Sequence, residues 1–452
     1  MRNLKRALSL ALAAIMLIGM MVVSASAASY NDLTDKDQIV NKDAVSMLVS
    51  LGIIEGKPDG SYAPTENVDR AQMAKMLSVI MNKGVDNSAL YQSVNSGLTD
   101  ITSNWAKGHI NYCYTTGIIA GRGNGTFDPS ATVTALEAAK MLLVAVGYDP
   151  KIEGFEGADW AINVSVRADE QGIFEGFTKD LSAPLNRDDA ALLIYNALDV
   201  EMIQSYTTNN YPIAYSDHRT ILADKYGVIK VQGVVVANEW ASLASDDGDA
   251  ALKEGKTTIY NGEGIFSTTG NTTVSKEDAS LKTQTFNVST PVDMLGKTVN
   301  LYIKKTTILA DSTVYGDPVV SDVNTVVTTG ETVLYSGAKD PQVDYDKLLG
   351  ENGLTDKDAK YFWNYNSGKY IPNTTEKYGD KTANVKGATL TIIDNNGDGE
   401  VDYVLSVEKA LADITSVNSK KETVTIRTLG TLDNKDVAVS YTHLRAHETR
   451  ED

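Results

Sequence analysis

A single cysteine, Cys113, leaves the chain with no intrachain disulfide and no thiol redox couple, and its neighbours Tyr112, Tyr114, Ile118 and Ile119 read it as a buried thiol. Histidine is nearly as scarce. Of the four, two fall in the last twelve residues, and His109 and His218 sit in no Ser-His-Asp, zinc or phosphate-loop pattern. Positive charge is in deficit, 41 basic residues against 59 acidic, and the net charge of -18 disfavours nucleic acid as a partner. Beyond residue 27 no apolar run approaches the ~20 residues that a membrane-spanning helix needs. Carboxylates abound, but a pair drawn from so many identifies no glycosidase. These shortages point away from an enzyme and away from the membrane.

The first residues are basic (Arg2, Lys5, Arg6) and lead into an apolar stretch from Leu8 to Val23, broken only by Ser9 and Gly19 and followed by the small-residue site Ala25-Ser26-Ala27. Residues 1–27 read as a secretory signal peptide, cut after Ala27. With 42% apolar residues in 452, the remainder is rich enough for two or three domains with cores of their own.

Self-similarity organises the first 200 residues. Gly52-Ile53-Ile54-Glu55-Gly56, Gly117-Ile118-Ile119-Ala120-Gly121 and Gly172-Ile173-Phe174-Glu175-Gly176 recur at spacings of 65 and 55 residues. A helix-like segment precedes each, with Trp105-Ala106 and Trp160-Ala161 placed 12 residues ahead of the glycine, and Val40-Asn41 standing there in the first unit. A turn follows, Asp59-Gly60-Ser61-Tyr62 or Asn124-Gly125-Thr126-Phe127, then Pro64 or Pro129; the third unit's loop is shorter. Next comes a second helix with a core-facing stripe, Met73, Met76, Leu77, Ile80 and Met81 in the first unit and Ala138, Met141, Leu142, Ala145 and Val146 in the second. Asp69, Thr134 and Asn186 precede these helices as caps, and Gln72 and Glu137 complete capping boxes. The first helical position is then Arg70, Ala135 and Arg187. A helix start offers amide donors and a partial positive charge, so an arginine there suits a carboxylate or phosphate even in an acidic protein.

These units, over residues 30–83, 96–149 and 156–200, resemble S-layer homology repeats. Their pattern is an aromatic-Asp start, Trp-Ala, Gly-Ile-Ile, a turn ending in aromatic-x-Pro, and a Thr-Arg-Ala-Glu-like motif. The resemblance implies an all-helical pseudo-threefold domain on the surface of a Gram-positive-type envelope. It also implies binding to secondary cell-wall polysaccharide, often at a pyruvylated terminal sugar, in grooves between repeats. Arg70 and Arg187 match the motif arginine, and Trp105 and Trp160 the motif tryptophan. Ala135 departs from the pattern in the second unit and Val40 in the first, while Gln72 and Asp189 stand where glutamate is usual.

From 205 to 439 the composition turns to Thr, Val, Gly and Asn, and alternating runs at Val228 to Val236, Thr298 to Ile303 and Glu422 to Arg427 read as strands of one or two β-rich, sandwich-like domains. The expected fold class is α + β multidomain. Asp394, Asn396, Asp398 and Asp402 occupy positions 1, 3, 5 and 9 of a calcium-loop pattern with glycine at 6, but Leu405 stands where the closing glutamate belongs, and a hairpin with an acidic turn is the competing reading. No cofactor is required; calcium is the one candidate. Residues 440–452 resemble translated adapter sequence and are set apart from the fold. The expected function is non-covalent anchoring of an exported surface protein to the cell wall, with self-assembly into a surface layer as a further partner relation. The alternatives are a wall-anchored enzyme acting on polysaccharide, or an adhesin carried by the β-rich region.

Overall fold

Each Gly-Ile-Ile-type motif stops a helix. The computed structural model describes residues 30–244, 251–263, 282–304, 309–329, 333–334, 343–363, 365–367, 388–408, 411–418, 423–429 and 436–440, so the signal peptide and nearly all of the 440–452 tail lie outside the described residues. In the three repeats the first helices are α1 (Lys42–Ser50), α3 (Lys107–Thr115) and α5 (Trp160–Glu170). After each, Gly52, Gly117 or Gly172 takes a positive φ between 69° and 79°. The next residue then bonds back into the helix: Ile53 N–H donates to Leu48 O, Ile118 to Cys113 O and Ile173 to Ala168 O, at 2.8–2.9 Å. This is the left-handed helix stop that glycine permits, and it buries the isoleucine behind it.

The second helices are α2 (Arg70–Met81), α4 (Ala135–Val146) and α6 (Arg187–Leu198). Both capping boxes form: Gln72 N–H donates to Asp69 at 2.7 Å and Asp69 N–H to Gln72 Oε1 at 3.0 Å, with the same exchange between Thr134 and Glu137. Asn186 caps α6 through Asp189 N–H. Met73, Leu77 and Ile80 are buried as the stripe requires, whereas Met76 and Met81 are only half-buried.

The residues just before these helices join the repeats. Val68 N–H donates to Leu185 O, Leu185 N–H to Val133 O and Val133 N–H to Val68 O, at 2.8–2.9 Å, so three chain segments close a ring of backbone bonds. All three side chains are buried. Around the ring each second helix packs on the first helix of another repeat: α2 on α3, α4 on α5, α6 on α1. A short hairpin, β1 (Ile203–Tyr206) with β2 (Pro212–Ala214), is tied to the junction of the second and third repeats by Tyr206, whose hydroxyl donates to Glu153 and accepts from Asp149 N–H. The chain divides into two units between Tyr226 and Gly227, some twenty residues after the composition changes.

The second unit is built of strands. One five-stranded sheet has the order β5-β4-β3-β6-β7, from β3 (Val228–Asn238), β4 (Thr257–Tyr260), β5 (Thr283–Phe286), β6 (Thr298–Lys304) and β7 (Thr313–Val320). Another has the order β12-β11-β14-β13-β8. It contains β8 (Thr325–Thr329), β11 (Lys360–Trp363), β12 (Asn366–Ser367), β13 (Ala388–Asp394) and β14 (Tyr403–Glu408), and its β11–β14 pair is parallel. Ile393, Tyr403 and Leu405 join Ile229, Val231, Leu301 and Ile303 in one core, while the alternate residues Ile392 and Val404 pack with Tyr345 and Leu349 of α7 (Tyr345–Glu351). Period-two alternation thus buries both faces of the second sheet. Two small sheets complete the described strands: β9 (Val333–Leu334) with β10 (Val343–Asp344), and β15 (Leu411–Asn418), β16 (Thr423–Leu429) and β17 (Asp436–Ser440). No helix among the described residues is long and apolar enough to cross a membrane.

Gly117→Ala tests the helix stop without a steric complication, because a Cβ there meets nothing within 4 Å. The cost is the left-handed backbone alone, about 1 to 2 kcal/mol, read as a lower midpoint in chemical denaturation with an unchanged slope.

Candidate functional site

The helix starts do not present open donors. Arg70 N–H donates to Ala131 O and Ala71 N–H to Pro129 O; Arg187 N–H donates to Glu66 O and Asp188 N–H to Pro64 O; Leu136 N–H donates to Leu181 O, all at 2.9–3.1 Å. The amides that sequence alone offers to an anion are therefore occupied by carbonyls of other repeats. The arginines follow them. Arg70 is 4% exposed, its Nε donates to Phe127 O at 2.8 Å and its Nη2 to Ala120 O at 2.9 Å, and its guanidinium lies 4.4 Å over the Phe127 ring. Arg187 repeats this on Tyr62 O and Glu55 O, 4.8 Å over the Tyr62 ring. Each motif arginine clamps the aromatic-x-Pro turn of another repeat. The turn is held ready by a carboxylate: Asp35 accepts Tyr62 and Ala63 N–H, and Asp100 accepts Phe127 and Asp128 N–H. Ala63 and Asp128 have positive φ, a strained state that these bonds maintain.

Beside Arg70 lies a groove of about 500 Å³ to which all three repeats contribute. Arg70 comes from the first, the Ile118-to-Gly123 loop with Glu137, Lys140 and Met141 from the second, and Glu156 and Trp160 from the third, with Phe155 just ahead of it. Met141, a core position by its spacing, is buried yet faces this space. Arg122 pairs with Glu137 at 3.0 Å and Asp128 at 3.6 Å, and Arg70 Nη1 stands 3.9 Å from Glu137. Burial, with Arg122 nearby, pulls the Arg70 guanidinium down to about 10, so it stays charged at neutral pH. Lys140 Nζ lies 5.7 Å from the centre of the half-buried Trp160 ring, and burial lowers its ammonium against the opposing Glu156 carboxylate. Cations beside an indole face can take a carboxylate-bearing ring: the cations meet the acid and the indole the C–H face.

The structure thus brings Arg70 and Trp160 into one groove. Arg187 and Trp105 lie elsewhere in the repeat ring, and Trp105 is 58% exposed. Arg122 and Lys140 were not singled out by sequence. Their signal was repetition, since Lys57 and Arg122 each follow the second glycine of the motif, and Lys75 and Lys140 each stand six residues after the cap.

Ser78, His109 and Asp86 form the order of a hydrolase triad, with Ser78 Oγ 2.6 Å from His109 Nδ1 and Asp86 3.6 Å from Nε2. Both Ser78 and His109 are 3% exposed and the Ser78 hydroxyl also donates to Lys75 O, so no substrate reaches the pair. Cys113 is buried with its thiol against Ala74 O, and burial pushes the thiol up. The 394–402 segment is a hairpin between β13 and β14. Asp394 accepts amides from Asn396, Gly397 and Gly399, Asn396 accepts from Asp398, Asp398 from Glu400, and Asp402 from Asn395. The loop is held by its own hydrogen bonds, and among the described residues no group of His, Cys, Asp and Glu is arranged to hold a metal ion.

The model of the S-layer homology domain matches residues 29–74 and 97–139, that is, most of the first two repeats; the third, with its shorter loop, lies outside the match. The chain is 26% identical over 270 residues to a cell surface protein of Thermoanaerobacter kivui, covering 59% of this chain and 32% of that one. It is 33% identical over 113 residues to an S-layer protein of Bacillus licheniformis, covering 25% of this chain and 12% of the relative. It is also 30% identical over 186 residues to an amylopullulanase of Thermoanaerobacterium thermosulfurigenes, covering 38% and 10%. The chain therefore spans a third or less of the length of these relatives.

Two outcomes check this geometry. Arg70→Ala leaves two carbonyls without their charged donor and destabilises the helical unit by about 3 kcal/mol, seen in thermal unfolding. Burial holds His109 below its usual value, opposed by Asp86. The unfolded chain therefore takes up that proton first, and His109's contribution is complete above about pH 6.5 and lost as the pH falls below it. His109→Gln should make stability less dependent on pH between about 5 and 7.5.

The Gly-Ile-Ile helix stops, the arginine-clamped turns and the family match on the first two repeats lead to one conclusion: this chain is an S-layer homology domain-containing protein of the bacterial cell surface.

Proposed function

We propose that residues 30–200 form an anchor of three repeats in approximate threefold arrangement, which holds anionic, pyruvylated secondary cell-wall polysaccharide in grooves between repeats. The observation that carries this reading is the groove where Lys140 faces the Trp160 ring and Arg70 and Arg122 line the same space, in a protein of net charge -18. A concentrated local cation site inside an acidic surface favours a carboxylate on an uncharged sugar over a polyanion such as nucleic acid, which the rest of the surface repels. In this reading the β-rich unit is the displayed part, and copies assemble into a layer outside the wall. The chain is not itself an enzyme. The likeness to an amylopullulanase supports a second reading, in which the same anchor carries a glycan-acting domain.

The test is co-sedimentation of the chain with purified sacculi, before and after their secondary polymer is stripped. Retention lost on stripping is expected; retention that survives stripping, or none at all, refutes the anchor. Hydrolysis of wall or storage glycans by residues 227–440 would replace the display reading with the enzymatic one.

A further inference from the structure

The chain does not leave the ring of repeats where the third repeat ends. After Val200 it turns back as the β1–β2 hairpin and a returning arm, 215–226, and runs across the C-terminal ends of second helices. At the end of α4, Gly147 lies so close to the hairpin that a Cβ there would stand 2.5 Å from Ile203 O, and Tyr206 is bonded to Asp149 and Glu153 just beyond. Just past α2, the Tyr226 ring packs 3.5 Å from the Cβ position of Gly84. One continuous segment thus starts on the third repeat, rests on the second and finishes on the first.

The segment is also bonded to itself. Met202 N–H donates to Arg219 O at 2.8 Å and Tyr215 N–H to Met202 O at 3.1 Å, so the returning arm pairs with the start of the hairpin. Arg219 binds Asp217 at 2.8 Å and Asp224 at 3.3 Å and lies 4.6 Å over the Tyr215 ring. Thr220, Ile221, Leu222 and Ala223 are buried, and a π-type turn, Leu222–Tyr226, ends the arm. Internal bonding of this kind makes the segment one cooperative piece.

Two features oppose its docking. The Tyr226 hydroxyl is buried with no hydrogen-bond partner among the described residues, and the Gly84 N–H beside it is given to Val79 O at 2.9 Å. An unpaired buried hydroxyl costs free energy that water restores on opening. His218 holds a left-handed φ of 51° without being glycine, which is strained backbone. The helices that the segment crosses bury whole apolar stripes instead, with Leu77 and Ile80 in α2 and Leu142 and Val146 in α4. The segment is therefore held less firmly than the repeats, and Gly227, at a φ of 65°, opens the second unit directly after it.

Resting on the anchoring function proposed above, we infer that residues 201–226 are a releasable strap. Docked, it passes tension arriving through Gly227 to the ends of all three second helices and not to α6 alone. Under load it opens as one piece while the repeats stay folded, and it releases up to about 90 Å of extended chain between the anchor and the displayed unit.

The experiment follows hydrogen exchange of the full chain by mass spectrometry, with no load and no wall present, so its result stands apart from the sacculi test. Peptides covering 201–226 should exchange together and well ahead of those from α2, α4 and α6. Tyr226→Ala should speed exchange of the strap about a hundredfold and leave the helices unchanged. Tyr226→Phe, which removes only the unpaired hydroxyl, should slow it about tenfold. Strap peptides that exchange in step with the second helices overturn the proposal. So does a Tyr226→Ala chain that loses its helicity, or a Tyr226→Phe chain whose strap exchanges no more slowly than before. Separate opening in a chain that no sacculi retain overturns the anchor and leaves the strap.

Discussion

Three backbone hydrogen bonds, from Val68 to Leu185, Leu185 to Val133 and Val133 to Val68, fix everything else in the helical unit. Because they lie just before the second helices, they bring each helix start against a turn of another repeat. The first amides of those helices then bond to neighbouring carbonyls, and the arginine at the first position has only one place to go, over the aromatic ring and onto its carbonyl. A buried guanidinium with two carbonyl acceptors and an aromatic face keeps its charge without a paired acid at bonding distance. That charge is fixed in place at the rim of a groove.

The groove beside Arg70 follows from this closure. It lies where a turn, a second helix and the next first helix meet, and the residues lining it are drawn from all three repeats. The groove's chemistry is therefore a property of the ring and belongs to no single repeat. Where the third repeat's turn is shorter, the second repeat carries a small buried alanine at the position of the arginine.

The β-rich unit uses a different constraint. Its second sheet is buried on both faces, by the first sheet on one side and α7 on the other, so neighbouring residues such as Ile392 and Ile393 belong to different cores. The acidic 394–402 turn directs its aspartates at its own amides, and Asn395 reaches Gly296 O and accepts from Thr298 through its own carbonyl, joining the two sheets.

The amino-acid sequence by itself determined the local elements. Glycine at a left-handed stop, a capping side chain and a stripe of apolar residues each act within a few residues of chain, so the helix pairs, their ends and many of the strands were legible. The four ligand candidates, Arg70, Arg187, Trp105 and Trp160, were also legible because they recur within the repeats. Their relations were not. Whether an N1 arginine faces solvent or a buried carbonyl depends on a partner 50 to 125 residues away. The pairing of Arg70 with Trp160 and the recruitment of Arg122 and Lys140 depend on ring closure, a contact between distant segments that no local pattern encodes. Tertiary structure decided which residues share a groove, because hydrogen bonding closes the ring only when all three repeats are folded.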